Sequence, residues 1–234
     1  MDLFFAVAAP QSSLDRSPVE LVLVLAFLVI SLGIHEAAHG WTALKCGDTT
    51  ARDLGRITLN PFPHIDLFMT IVLPLVLLIS TQGSMLFGGA KPVPVNFHAL
   101  RKPYRDMAIV AAAGPASNLV LAALFYAVYH LLVDTLGIWQ AGTIGANVLI
   151  WSAFWNILLA MFNMLPIPPL DGSRIMAWIL PSSIRPAYQR LESMGILLVI
   201  VFLYAVPGVR TSLKNTMDFM FRIIVDVVTL GGLW

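Results

Sequence analysis

The sequence predicts an all-α polytopic membrane protein with about five to six membrane helices, a re-entrant hairpin and a short stretch of non-helical backbone at membrane depth. Three observations carry this. The 234 residues are 58% hydrophobic and only 12% charged, with a mean hydropathy of +0.82, where soluble domains carry about a quarter charged residues. Several apolar stretches approach or reach the length that crosses a bilayer. Lys and Arg crowd some connections and are missing from others, an asymmetry that orients membrane helices. A formal net charge of +1 and the lack of any Lys/Arg run point to no nucleic-acid partner. The single cysteine, Cys46, excludes an intramolecular disulfide and a thiolate zinc site. The opening MDLFFAVAAP lacks the basic region of a cleaved signal peptide, so residues 1–18 read as an N-terminal tail. No internal repeat and no stretch hydrophilic enough for an appended soluble domain is visible.

The first helix runs from Val19 to about Cys46, with Ser17 as N-cap, Pro18 in the first turn and Gly47 closing it. The next apolar segment, LFMTIVLPLVLLIS (67–80), is short and carries Pro74 in its middle. Helices over Met107–Val133 and Ile144–Leu165 follow, and a fifth covers about Met194–Val206. In the tail, 216–230, Asp218, Arg222 and Asp226 recur every four residues. That suits an interfacial amphipathic helix as well as a span. These elements divide the chain into a membrane core, 19–190, and a C-terminal part, 191–234.

Lys45, Arg52 and Arg56 lie in the connection 45–66, Lys91, Arg101, Lys102 and Arg105 in 91–105, and Arg174, Arg185 and Arg190 in 171–190. The connection 134–143 has none. The positive-inside rule therefore places the three basic connections in the cytoplasm, and 134–143 with the N-terminus outside. Both ends of 67–90 are then cytoplasmic, so the region 67–96 should dip into the membrane and return. Pro74 and the exit FGGAKPVPVN (87–96) suit irregular backbone that protein or water must cover. The first helix and 144–165 run parallel, and their cytoplasmic ends can meet.

At the end of the first helix the apolar run Leu21–Ile34 continues into HEAAH (35–39). At about 100° per residue, His35, Glu36 and His39 share one helix face. Two imidazoles four apart can bind one zinc while the glutamate, poorly placed as a ligand, holds a water as general base. If Lys45 marks the interface, His39 lies about 9 Å and His35 about 15 Å inside it. Charges at that depth are costly unless used. A third protein ligand is needed, and Asp171, His64, Asp66, His98 and His130 are the candidates. His130 falls near the outer face. Asp171 follows Pro166, Pro168 and Pro169, which stop the helix and stiffen its approach, and Gly172 permits a sharp turn there. His64, in NPFPHID, is the rival, with a satisfied loop histidine as its plain role.

HEAAH in one apolar helix, GPASN (114–118) opening a second and NMLPIPPLDG (163–172) ending a third resemble the site-2 protease family of intramembrane zinc metalloproteases. LGRITLNPFPHID and GGAKPVPVN resemble its compact prokaryotic branch, and the likeness covers about residues 20–180. The resemblance implies that His35, His39 and Asp171 bind one zinc ion, that Glu36 is the catalytic base, and that Asn163 holds the substrate or its oxyanion. It implies that Gly114, Pro115 and Asn118 shape the site, and that a membrane-embedded loop or strand over 87–96 presents substrate backbone. The implied activity is hydrolysis of a peptide bond within or near a transmembrane segment of a membrane-protein substrate, as in regulated intramembrane proteolysis. The implied place is the inner membrane of a prokaryote, with the active site toward the cytoplasm. The chain shows no PDZ-like or nucleotide-sensing domain. Two rivals have sequence criteria. A metal-ion transporter would carry polar residues along a whole path, and the outer halves here are apolar. An inactive substrate-holding relative would lack Glu36 or a ligand, and all are present.

Overall fold

The structure is a computed structural model that describes residues 17–72, 76, 80 and 88–231. Among them it is all-helical, with no strand. Helix α1, Pro18–Lys45, starts on Ser17, whose hydroxyl accepts from the Glu20 amide at 3.1 Å. Helix α2, Pro103–Tyr129, begins on its own proline and passes into a π-turn, His130–Thr135. Helix α3 is Ile144–Asn163. These three are long and apolar enough to cross a membrane.

Polar contacts between them fix their directions. Asn147 of α3 donates to Glu20 of α1, start beside start, and Asn156 donates to Ser31 further along. The two helices are therefore parallel, as the charge pattern requires. On α2 the order reverses: Val110 lies beside His39 and Asn118 beside His35. Ala122, Tyr126, Ala153, Ile157 and Met161 fill the space between α2 and α3 at one end. Ala43, Leu100 and Val110 close the other end of the bundle.

Among the described residues the C-terminal part does not bring the spans up to the expected five to six. Helix α4, Asp171–Ile179, and α5, Arg185–Arg190, are short. The expected fifth span shrinks to α6, Ile196–Ala205, because Gly195 takes φ 53° and breaks the chain's course. Ten residues rise about 15 Å, half the thickness of a hydrocarbon core. Arg185–Met194 and Leu197–Leu203 meet at 99°, so the described residues hold three spans, or four if this bent pair is one. Helix α7, Val209–Val228, buries Met217 and Ile224 against α2 and α3 and leaves Lys214, Asp218 and Arg222 exposed.

The entry and exit of 67–90 lie side by side. The Gly89 amide donates to the Met69 carbonyl at 3.0 Å, and the Thr70 hydroxyl to the Gly89 carbonyl at 2.6 Å. Residues 73–75, 77–79 and 81–87, the body of the expected hairpin, lie outside the described residues. Beyond them, 90–96 is irregular and clamped to α1 by Glu36 and to the segment that follows α1. Arg56 donates to the Lys91 carbonyl at 2.9 Å, and the buried Asp48 accepts from the Asn96 amide at 2.6 Å. The Arg101 amide donates to the Cys46 carbonyl at 3.1 Å, which puts Arg101 at the end of α1. In a Cys46→Ser background, cysteines introduced at the exposed Arg52 and Arg101 should therefore react with a membrane-impermeant thiol reagent from the same side of sealed vesicles. Labelling from opposite sides contradicts this fold.

Candidate metal centre

Two turns of α1 and the first residue of α4 bring three donors together. His35 and His39 are only 5% and 8% exposed. Their Nε2 atoms lie 3.0 Å apart, and Asp171 Oδ2 stands 3.2 Å from the first and 3.4 Å from the second. Among the described residues this is the group of His, Cys, Asp and Glu side chains able to hold a metal ion.

Each donor is aimed by its own element. His39 turns Nδ1 to the Val110 carbonyl at 2.7 Å. A carbonyl only accepts, so Nδ1 carries the hydrogen and Nε2 presents a lone pair. His35 turns Nδ1 to Asn118 Oδ1 at 2.5 Å. Asp171 arrives by a short path: α3 ends at Asn163, tight turns close at Ile167 and Leu170, and α4 starts on the aspartate. The Tyr188 hydroxyl braces this path by donating to the Pro166 carbonyl at 2.8 Å. A carboxylate in the first turn of a helix is also favoured by the helix dipole.

Two glycines leave the room this needs. A Cβ on Gly114 of α2 would sit 2.5 Å from both His35 Nε2 and His39 Nε2. A Cβ on Gly172 would collide with the backbone carbonyls of Met164 and Leu165. The sharp turn expected at Gly172 is therefore not its role. It lies inside α4, where it lets that helix start hard against the end of α3.

The residues fit zinc. Asp171 Oδ2 is buried with no hydrogen-bond partner, and it faces two imidazole nitrogens. Two histidines and a carboxylate are a familiar catalytic zinc set, which keeps a further position for water or substrate. The side chain of Glu36 is not in the cluster. Its Oε2 accepts from the Val93 amide at 2.7 Å, which leaves Oε1 available at the cavity. That cavity, about 700 Å³, is lined by His35, Glu36, His39, Asn163 and Asp171 together with the clamped Pro92–Val95 stretch.

The other sequence candidates separate from the centre. His64 is buried against Gly33 with Nε2 3.1 Å from the Thr58 carbonyl. Asp66 accepts from the Met69 amide at 2.7 Å, and His130 pairs with Asp134 at 3.0 Å. His98 lines the cavity outside the cluster. Asn163 lines it too, and its amide donates back to the Leu159 carbonyl at 3.1 Å. Sequence reasoning missed the Val110 carbonyl, and it named Asn118 as shaping the site without its contact to His35. The first carries no side-chain signal. The second does, since Asn118 lies four residues after Gly114 and so on the same face of α2.

A family model described as peptidase family M50 matches residues 23–141 and 136–206. The "Putative zinc metalloprotease YwhC" of Bacillus subtilis is 37% identical over 183 residues, 77% of this chain and 78% of that protein. The "Putative zinc metalloprotease Rip2" of Mycolicibacterium smegmatis is 33% identical over 187 residues, 78% of this chain and 66% of that protein. No solved structure matches.

The glycine analysis gives a direct test. Gly114→Ala should remove bound zinc, read as metal per chain by mass spectrometry, because the methyl group occupies the space between the ligands. Gly89→Ala, with nothing within 4 Å of its added Cβ, should leave the metal content unchanged.

Proposed function

This chain belongs to peptidase family M50 and is a zinc metallopeptidase, and from that premise we propose that it hydrolyses a peptide bond within or near a transmembrane segment of a membrane protein. The observation that supports this most is the meeting of His35, His39 and Asp171 with Glu36 at one cavity between apolar helices. In this reading His35, His39 and Asp171 hold one zinc ion. Bound there, zinc acidifies a water and polarises the scissile carbonyl.

The chain's own groups do the rest. Glu36 Oε2 is engaged by the Val93 amide, so Oε1 takes the proton of the attacking water. The water oxygen bonds to the carbonyl carbon, the C–N bond breaks, and Glu36 returns the proton to the leaving amine. Asn163 has two amide hydrogens, one used on the Leu159 carbonyl. The second is the proposed donor to the developing oxyanion. A substrate helix hides its peptide bonds in its own ladder. The irregular 90–96 stretch borders the cavity, and in this reading an unwound segment adds alongside it as a strand. The basic connections support a cytoplasmic orientation for this end of the bundle, and the inner membrane of a prokaryote and a re-entrant course for 67–90 belong to the same proposal.

Purified full-length chain with a transmembrane peptide tests the reading. Glu36→Gln should keep zinc and lose cleavage, whereas Asp171→Ala should lose both. A metal transporter predicts no cleavage by the wild type, and near wild-type cleavage by Glu36→Gln removes the general-base role. Asn163→Ala should lower turnover about 10²–10³-fold with zinc content and melting temperature unchanged. Loss of activity only in step with lost zinc or stability would make Asn163 structural.

A further inference from the structure

We propose that Asn118 is a positioning residue for the metal centre, and that a relay of buried amides through Asn156 to α3 and Ser31 sets which nitrogen of His35 is offered to the metal. The inference rests on the reading of His35 as a ligand.

The relay has one end that chemistry fixes. Asn156 Nδ2 donates to the Ser152 carbonyl at 2.9 Å and to Ser31 Oγ at 3.0 Å. A backbone carbonyl only accepts, so the nitrogen of Asn156 must be on that side and its Oδ1 on the other. Oδ1 faces Asn118 Nδ2 at 2.8 Å, and two oxygens there would repel. Asn118 is thereby oriented with Oδ1 toward His35, 2.5 Å from Nδ1. An acceptor at Nδ1 requires hydrogen on Nδ1, and a neutral imidazole then has its lone pair on Nε2. Nε2 is the atom that faces His39 and Asp171.

Burial makes the arrangement binding. Asn118, Asn156 and Ser31 are at most 1% exposed, so no water substitutes for a missing partner, and each amide has its orientation imposed by the next. The three residues sit on α2, α3 and α1. One hydrogen-bonded line thus couples the rotation of all three helices to the aim of His35. Partners of this kind hold the ring of a ligating histidine and its tautomer, and their loss typically lowers metal affinity about 10–100-fold.

The test is the zinc dissociation constant of detergent-purified full-length chain, by competition with a chromogenic chelator, beside the melting temperature of each zinc-free form. Asn118→Leu has nearly the same volume and no acceptor, and it should weaken zinc about 10–100-fold. Asn118→Asp keeps an acceptor for Nδ1 and should bind zinc as tightly as wild type, although its zinc-free form melts lower for burying a charge and for setting an oxygen against Asn156 Oδ1. A packing role predicts the reverse order, with Leu tolerated and Asp damaging. Should the aspartate variant fail to fold, Asn156→Leu leaves Asn118 and every ligand in place but frees the Asn118 amide to flip. It should weaken zinc in the same direction. Unchanged affinity in Asn118→Leu or in Asn156→Leu overturns the relay, as does a loss that only tracks zinc-free stability. A wild-type chain that binds no zinc overturns the reading of the site itself.

Discussion

Three electron-rich atoms face one another at the centre of this molecule. His35 Nε2, His39 Nε2 and Asp171 Oδ2 lie within 3.0–3.4 Å, and His39 has its hydrogen committed elsewhere, on the Val110 carbonyl. In water such a cluster would disperse into hydration shells. Between apolar helices it persists when a cation satisfies all three at once. Much of the surrounding structure follows from that requirement. α2 has glycine at 114 because the histidines need the space of a side chain. α4 has glycine at 172 because its first residue must stand against the end of α3. α1 and α3 run parallel, so that the end of one can supply the carboxylate to the imidazoles of the other.

A second constraint is wetting. Hydrolysis needs water at a centre enclosed by apolar helices, and the backbone lining such a cavity must itself be satisfied. The 90–96 stretch meets both demands. Pro92 and Pro94 contribute no amide hydrogens. The Val93 amide is taken by Glu36, the Asn96 amide by Asp48, and the Lys91 and Pro92 carbonyls by Arg56. Irregular backbone is thus held rigidly against α1 without a partner strand, and its other edge borders the cavity. The contact at Glu36 joins the two demands, since the group proposed to receive a proton also anchors the cavity wall.

The sequence made α1 and its candidate ligands legible because two independent signals coincide there. Helical spacing puts His35 and His39 on one face, and an apolar setting makes their presence costly. Asp171 was legible through three prolines that halt α3, although its place as the first residue of α4 was not. The choice between Asp171 and His64 required the fold, since both lie in proline-rich loops and only three-dimensional proximity separates them. Helix ends were legible to within a few residues, as at Asn163 where Leu165 was expected. The fifth apolar segment was legible as a helix within two residues of its ends, but the bend before it was not, because hydropathy does not register the break at Gly195. Asn118, Asn156 and Ser31 were illegible as a line, because each is a lone polar residue in an apolar helix. Their connection depends on how three helices are rotated about their axes.

That an amide and not a carboxylate faces His35 follows from where the centre lies. A carboxylate that accepts from the far nitrogen of an imidazole raises its basicity but brings a full charge, and in a low-dielectric bundle that charge needs its own compensation. Around the centre the carboxylates are Asp171 and Glu36, enough to balance a divalent cation. One more anion would leave net negative charge between apolar helices, and it would disfavour the oxyanion that hydrolysis builds. A carboxamide orients the ring as firmly and adds no charge. Its weakness is that an amide can flip, and the Ser152 carbonyl removes that freedom through Asn156. A site enclosed by apolar helices therefore takes its orientation from dipoles locked in series, and keeps its few charges for the metal and the proton.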